Sequence, residues 1–320
     1  MTEPELPPNP PAESAAAATA AAEPTRCGFT AIIGAPNAGK STLVNRLVGS
    51  KVAIVSPKVQ TTRARVLGIA LDGPAQIIWV DTPGIFQPRR RLERAMVATA
   101  WKGAEDADLQ IHLVDATRGL DPDARRIMEG LARSRRKAIL ALNKIDDIRL
   151  ERLLPLAAEM AESGAYSETF MISALTGDGV ADLARRVASL MPTGPWLYPE
   201  DQMADMPMRL LAAEITREKL FLQLHDEVPY AVAVETETWE EHRDGSVRIG
   251  QVVYVMRASQ KAIVLGKGGA RIKAISTAAR TEMAEMMGRR VHLLLFVKER
   301  PNWQDEPEAY AVQGMDWSPN

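Results

Sequence analysis

The octapeptide Gly34-Ala35-Pro36-Asn37-Ala38-Gly39-Lys40-Ser41 leaves the chain around it little choice of fold. It fits G-x-x-x-x-G-K-[ST], a loop whose backbone N–H groups wrap a phosphate chain, and that loop belongs between a strand end and a helix start. The apolar run 29–33 ends at Gly34, and 41–47 has helical character, so the context is present. Further apolar runs follow at 76–80, 109–114, 138–142 and 169–172, separated by helical patterns such as 125–133 and 150–162. Strands alternating with helices predict an α/β domain whose mainly parallel sheet is covered on both faces. Ligands in such sheets bind at the carboxyl ends of the strands.

Every other motif of this domain lies at such an end. Asp81-Thr82-Pro83-Gly84 follows the run 76–80, and Asn143-Lys144-Ile145-Asp146 follows 138–142. In this pattern Lys40 neutralises the β- and γ-phosphates, Ser41 offers a hydroxyl to Mg²⁺, and Asp81 holds that ion through water. Thr42 continues the phosphate site, and Gly84 lets the loop beginning at Ile85 move when a γ-phosphate arrives. The carboxylate of Asp146 can accept from guanine N1–H and N2–H₂, a donor pair that adenine lacks, so Asn143, Lys144 and Asp146 select guanine. Ser173-Ala174-Leu175, after 169–172, offers backbone N–H groups to guanine O6.

A chain of 320 residues allows two domains. Its net charge of −2 gives no global bias towards nucleic acid, so any such bias must be local. The single cysteine, Cys27, rules out an intramolecular disulfide and a cysteine-based zinc site, which fits a reducing compartment. Residues 1–25 combine prolines, alanines and glutamates without Lys or Arg, which excludes a secretory signal or mitochondrial presequence and predicts a disordered tail. Pro192, Pro195, Pro199 and Pro207 mark 192–207 as a linker after a first domain of 26–191. Residues 208–303 read as a small α+β module: helix 208–224, strands 230–238 and 247–256, a helical turn, a glycine loop, helix 271–287 and strand 291–297. Residues 304–320 read as an acidic tail.

The glycine loop of that module is Gly266-Lys267-Gly268-Gly269, flanked by apolar residues and by Arg271 and Lys273. A G-x-x-G loop joining two helices clamps single-stranded RNA in KH modules. From Arg257 to Arg300 ten Lys/Arg stand against three acids, whereas from Glu200 to Met256 five stand against twelve. Positive charge is thus concentrated on the loop side, as an RNA face requires. Helix and strands precede the loop and a strand follows the last helix, which matches the type II KH arrangement. Met283, Met286 and Met287 on the last helix are read as core, as are His112 and His292 in apolar strands.

The order of these motifs resembles the Era family of translation-factor-related GTPases. The resemblance extends through Gln60-Thr61-Thr62-Arg63, Tyr198-Pro199-Glu200-Asp201, Ala213-Glu214-Ile215-Thr216-Arg217-Glu218-Lys219 and Glu227-Val228-Pro229-Tyr230, and covers roughly 28–303. It implies that Gln60–Arg63 is the first switch, with Thr62, or alternatively Thr61, contacting Mg²⁺. It implies slow GTP hydrolysis in ribosome assembly, on small-subunit (16S) ribosomal RNA near its 3′ end. A cytoplasmic monomer is expected, with peripheral contact to the inner membrane; the rival reading is a membrane- or protein-directed switch whose KH fold is a protein adaptor. Position 85, where small signalling GTPases carry a water-orienting glutamine, is Ile85, so catalysis must be electrostatic and positional, through Lys40, Thr62, Gly84 and Asn37. Asn37 matches the asparagine that ligates K⁺ in related enzymes; the other reading is a hydrogen bond within its own turn. Arg89, Arg90, Arg91 and Arg94 are read as a solvated or partner-facing surface, against an internal arginine finger.

Overall fold

The computed structural model describes residues 24–310, apart from 135, 226, 227, 302, 308 and 309. The expected tails 1–25 and 304–320 therefore lie largely outside the described residues.

The first unit comprises β1 (Arg26–Ile33), α1 (Lys40–Val48), β2 (Val66–Asp72), β3 (Ala75–Asp81), α2 (Arg91–Asp106), β4 (Leu109–Asp115), α3 (Pro122–Ala132), β5 (Ala138–Asn143), α4 (Leu150–Ala161), β6 (Tyr166–Ile172) and α5 (Val180–Leu190). The sheet order is β2-β3-β1-β4-β5-β6, and only β2 runs antiparallel to its neighbour. The near-continuous apolar runs of β1, β3, β4 and β5 are explained by two buried clusters. One packs α2, α3 and α4 against the sheet, and the other packs α1 and α5 on the opposite face. Helix starts follow local chemistry: Asp121 caps α3, accepting from Asp123 N at 3.0 Å and Ala124 N at 2.8 Å, with Pro122 as the first helical residue.

The second unit comprises α6 (Met208–Gln223), β7 (Ala233–Glu241), β8 (Val247–Val255), α7 (Ala258–Leu265), α8 (Ala270–Met287) and β9 (Val291–Glu299), with sheet order β7-β8-β9. β7 is antiparallel to β8, and β9 is parallel to it.

Several features differ from the sequence expectation. β2 and α2 were not visible in the pattern; in β2, a Cβ at Gly68 would fall 2.6 Å from Val48, so the glycine makes room for α1. The basic run 89–94 starts α2, whose opposite stripe, Leu92, Met96, Ala100 and Ala104, is buried. The strand expected at 230–238 begins only at Ala233, because the carbonyls of Tyr230, Ala231 and Val232 accept from Arg63, Gln304 and Trp303 rather than from a ladder. His292 is exposed on β9, not packed.

The segment 192–207 is a docked strap. Buried Gln76 receives the N–H groups of Leu197 and Tyr198 at 2.8 and 3.0 Å and donates to the Tyr198 carbonyl at 2.8 Å. Ile69 N donates to Met203 O at 2.8 Å, so the strap pairs the outer edge of β2. Described residues of the expected acidic tail also pack: Tyr310 is fully buried against Leu92 and Met96 of α2, because its ring fills an apolar notch there.

His112 is buried in β4, with Nδ1 2.7 Å from the Tyr166 hydroxyl. Desolvation, helped by the charge of Lys40, lowers its pKa to about 3. An unfolded chain takes up this proton near pH 6.5 while the folded chain refuses it, so stability falls as pH drops from about 6.5 towards 3. His112→Gln should reduce that loss by about 2 kcal/mol between pH 6.5 and 5, on the order of 1.4 kcal/mol per pH unit. Urea denaturation of both proteins at the two pH values measures it.

Candidate nucleotide site and glycine-rich loop

The loop after β1 closes on itself. Lys40 Nζ, buried, donates to the carbonyls of Gly34 at 3.1 Å and Ala35 at 3.0 Å. Desolvation lowers the pKa of this ammonium to about 8, opposed by the charge of Asp81. Gly39 has φ +100°, and a Cβ there would fall 2.4 Å from Asn143 Nδ2, so this position admits only glycine.

At the start of α1, Ser41 Oγ donates to Asp81 Oδ2 at 2.6 Å and lies 2.9 Å from Thr62 Oγ1. Thr62 Oγ1 reaches the same carboxylate oxygen at 3.2 Å. Thr61 instead donates to the Lys58 carbonyl and faces Ser56, so of the two threonines only Thr62 stands with Ser41 and Asp81. Asp81 is fully buried and its Oδ1 has no hydrogen-bond partner. Burial raises its pKa, against the hydrogen bond from Ser41 and the charge of Lys40. Hard oxygen donors around an unmet buried carboxylate oxygen fit Mg²⁺.

A cavity of about 460 Å³ opens over these groups, lined by Asn37, Lys40, Ser41, Thr42, Thr62 and Gly84 among others. Asn37, itself left-handed at φ 64°, donates through Nδ2 to the Pro57 carbonyl at 2.9 Å, so it bonds across to the switch segment and not within its own turn. A neighbouring cavity of about 310 Å³ shares Gly39, Thr42 and Lys144 with the first and is bounded by Asn143, Asp146, Ala174 and Leu175.

Three of the expected contacts face elsewhere. Thr82 Oγ1 donates to the Ile32 carbonyl, and Ile85 is packed in the core; its N–H donates to Gly34 O at 3.0 Å. Asn143 is engaged at both ends of its amide: Nδ2 donates to the Ala38 carbonyl at 2.7 Å, and Oδ1 accepts from Ala174 N at 2.9 Å. It staples the phosphate loop to the 173–175 loop. Lys144 is held by Asp115 at 2.5 Å, and Asp146 is exposed in the short 3₁₀ turn Ile145–Asp147. Pro83 and Ser173 are buried behind the cavities. Arg46 donates to the carbonyls of Ala174 and Leu175, a contact that spacing along the chain could not reveal. No arginine of the 89–94 run lines the phosphate cavity.

In the second unit Gly266, Gly268 and Gly269 have φ of 72°, 60° and 78°, a tight turn between α7 and α8 with Lys267 and Gly268 exposed. Lys273 is exposed on α8, whereas Arg271 Nη1 is tied to the Ile263 carbonyl at 2.7 Å and so helps to hold the two helices together. Ile263 is 41% exposed beside this basic loop.

Comparison with known proteins agrees with both halves. Residues 29–144 match a family described as 50S ribosome-binding GTPase, and 227–304 match the KH domain. GTPase Era of Rhizobium meliloti (strain 1021) is 62% identical over 298 residues, covering 93% of this chain and 95% of the relative. GTPase Era of Agrobacterium fabrum is 61% identical over 294 residues, covering 92% and 93%. A solved structure of an Aquifex aeolicus Era variant bound to GDP·AlF₄⁻ superposes with a TM-score of 0.86 at 39% identity, over 91% of this chain and 99% of the other. A structure of Era with MgGDPNP and nucleotides 1506–1542 of 16S ribosomal RNA gives the same score, identity and coverage.

Removing the Asn143 staple leaves the buried Ala38 carbonyl and Ala174 N–H without partners. Each such loss costs about 1–3 kcal/mol, and about 1.4 kcal/mol is tenfold in affinity. Asn143→Ala should therefore weaken GTP and GDP binding alike, by roughly tenfold or more. Titration of both nucleotides onto the folded variant checks this.

Proposed function

This chain belongs to the Era family of GTPases, and on that premise we propose that it is a ribosome-assembly factor that binds 16S ribosomal RNA near its 3′ end through the KH unit. The observation that carries the reading is the likeness, over 91% of the chain, to the Era structure holding MgGDPNP and nucleotides 1506–1542 of 16S ribosomal RNA. The exposed glycine turn with Lys267 supports it.

We assign the residues as follows. Lys40 and the backbone of residues 34–42 bind the β- and γ-phosphates. Ser41, Thr62 and Asp81 hold Mg²⁺, which when bound draws off charge from the phosphate oxygens. Asp146 reads guanine, with Lys144 beside it and Asn143 holding the 173–175 loop in reach. Gly84 adjoins the γ-phosphate end of the cavity. Ile85 cannot orient water from the core, so turnover is slow and rests on positioning and charge. Asn37 and the Pro57 carbonyl stand together at the phosphate cavity, and we propose them as oxygen ligands for K⁺, with the amide turned from its present hydrogen bond. On the same reading the protein is a cytoplasmic monomer whose basic KH side can touch the anionic inner membrane; among the described residues no helix is long and apolar enough to cross a membrane.

The potassium assignment is checked by turnover in matched K⁺ and Na⁺ buffers: K⁺ should be clearly faster, and Asn37→Ser should abolish the difference. The RNA assignment is checked with Lys267→Asp combined with Gly268→Asp. Two carboxylates repel phosphate, and a β-carbon at the left-handed Gly268 strains the turn. Affinity for an RNA of the 16S 3′ end should fall by at least about a hundredfold and lose part of its salt dependence, while GTP affinity stays within about twofold. Undiminished RNA binding would place the RNA surface elsewhere and favour the protein-adaptor reading.

A further inference from the structure

The segment 51–63, between α1 and β2, has no helix or strand of its own, yet it carries Thr62. Ordering a flexible backbone costs, residue for residue, at least as much as one hydrogen bond returns net. The contacts of Thr62 with Ser41 and Asp81 cannot fix this segment alone. Asn45, accepting from Val52 N and Ala53 N, and Asn37, donating to the Pro57 carbonyl, hold it from the first unit, and the KH unit holds it from the other side.

Consecutive residues of α6 grip the two ends of the segment. Glu218, buried, accepts from Lys51 Nζ at 2.7 Å and from Val55 N at 2.8 Å. Lys51 also meets Glu282 of α8, which in turn pairs with Lys219. Arg217, 2% exposed, donates to the Thr61 carbonyl; Glu214 fixes its guanidinium, with Nε to Oε1 at 2.8 Å, and the Phe221 ring centre lies 5.1 Å away. On the other side of Thr62, Arg63 donates to the carbonyls of Val232 at 2.9 Å and Tyr230 at 3.2 Å, near the rings of Phe221 and Trp303. Both chain neighbours of Thr62 are thus anchored in the KH unit.

We propose that Arg217 is a positioning residue for GTP hydrolysis: by holding the Thr61 carbonyl it keeps the Thr62 hydroxyl beside Ser41 and Asp81, so that metal-dependent GTP binding requires a docked KH unit. The inference rests on the metal-contacting role proposed for Thr62. GDP has no γ-phosphate for the 51–63 segment to close on, so the clamp acts on GTP and not on GDP. The coupling is reciprocal, and a bound GTP–metal pair favours docking by the same free energy. Burial and the adjacent Arg217 lower the pKa of Arg63 to about 9.

The test uses the full chain with Arg217→Ala, Arg217→Lys, Thr62→Ala and the double alanine variant. Binding of a non-hydrolysable GTP analogue and of GDP is measured across a Mg²⁺ series, together with kcat and KM. Arg217→Ala should raise the Mg²⁺ midpoint for the analogue roughly tenfold and lower kcat roughly tenfold, with GDP affinity within about twofold; one buried hydrogen bond accounts for that size. Arg217→Lys keeps the charge but loses the planar fork, and should show a shift of about threefold. The double variant should show no larger midpoint shift than Thr62→Ala alone, because the two act on one hydroxyl. Equal losses for analogue and GDP, or additive effects in the double variant, would mean a merely structural arginine and overturn the proposal. If Arg217→Ala does not fold, Arg217→Lys decides: an unchanged midpoint overturns it. A silent Thr62→Ala would instead remove the role of Thr62 itself, and the inference with it.

Discussion

A buried carboxylate organises this molecule. Asp81, at the carboxyl end of β3, is fully buried, and an isolated charge there would be costly. Ser41 from α1, Thr62 from the 51–63 segment and the nearby charge of Lys40 meet that cost in part. Two separate stretches of chain, the start of α1 and the 51–63 segment, therefore converge on one side chain at the end of β3. Its Oδ1 still has no partner, so the folded chain holds a buried acceptor that, on the proposed roles, a bound cation would satisfy. Anything that binds this arrangement and not the unfolded chain stabilises it by mass action, which makes Mg²⁺ with GTP a structural ligand as well as a substrate.

The same convergence explains why two domains can act as one. Thr62 is the only one of the three groups at Asp81 that lies on an irregular segment, and that segment leans on α6 through Glu218 and Arg217. The strap 192–207 contributes from behind, pairing the edge of β2 next to where the segment ends. Tyr310, buried on Leu92 and Met96, ties the far end of the described chain to α2, the helix that follows the Asp81–Gly84 turn. The KH unit and its C-terminal extension thus touch the elements on both sides of the phosphate cavity. Allosteric couplings are typically about 1–3 kcal/mol, which a few such buried contacts can supply.

Much of this was legible in the sequence, and the reason is physical. Phosphate and base recognition need particular residues at strand ends, so the runs ending at Gly34, Asp81, Asn143 and Ser173 marked β1, β3, β5 and β6 together with the candidate site at their ends. What escaped was of three kinds. β2 and α2 carry no clear pattern, since β2 holds a glycine that makes room for α1, and the basic run read as a solvated surface is the outer start of a half-buried helix. Asn143, read as a base selector, spends its amide on a loop-to-loop staple, since the residue type that recognises a base also satisfies two backbone groups. Arg46, Arg217 and Glu218 act across 128 to 167 positions of sequence, where no local periodicity records the partner.

The placement of Ile85 completes the picture of control. A water-orienting side chain directly after Gly84 would put catalysis in the second switch, but here that position belongs to the core and moves only with it. On the proposed roles, the groups left to act on the γ-phosphate end are Lys40, Thr62 and Asn37. Lys40 is fixed by the phosphate loop, whereas Thr62 and the Pro57 partner of Asn37 both lie on the 51–63 segment. Adjustable catalytic geometry is therefore confined to a segment that the KH unit holds. A contact that alters the docking of the KH unit must then alter the lifetime of GTP, without any residue being added to the phosphate cavity.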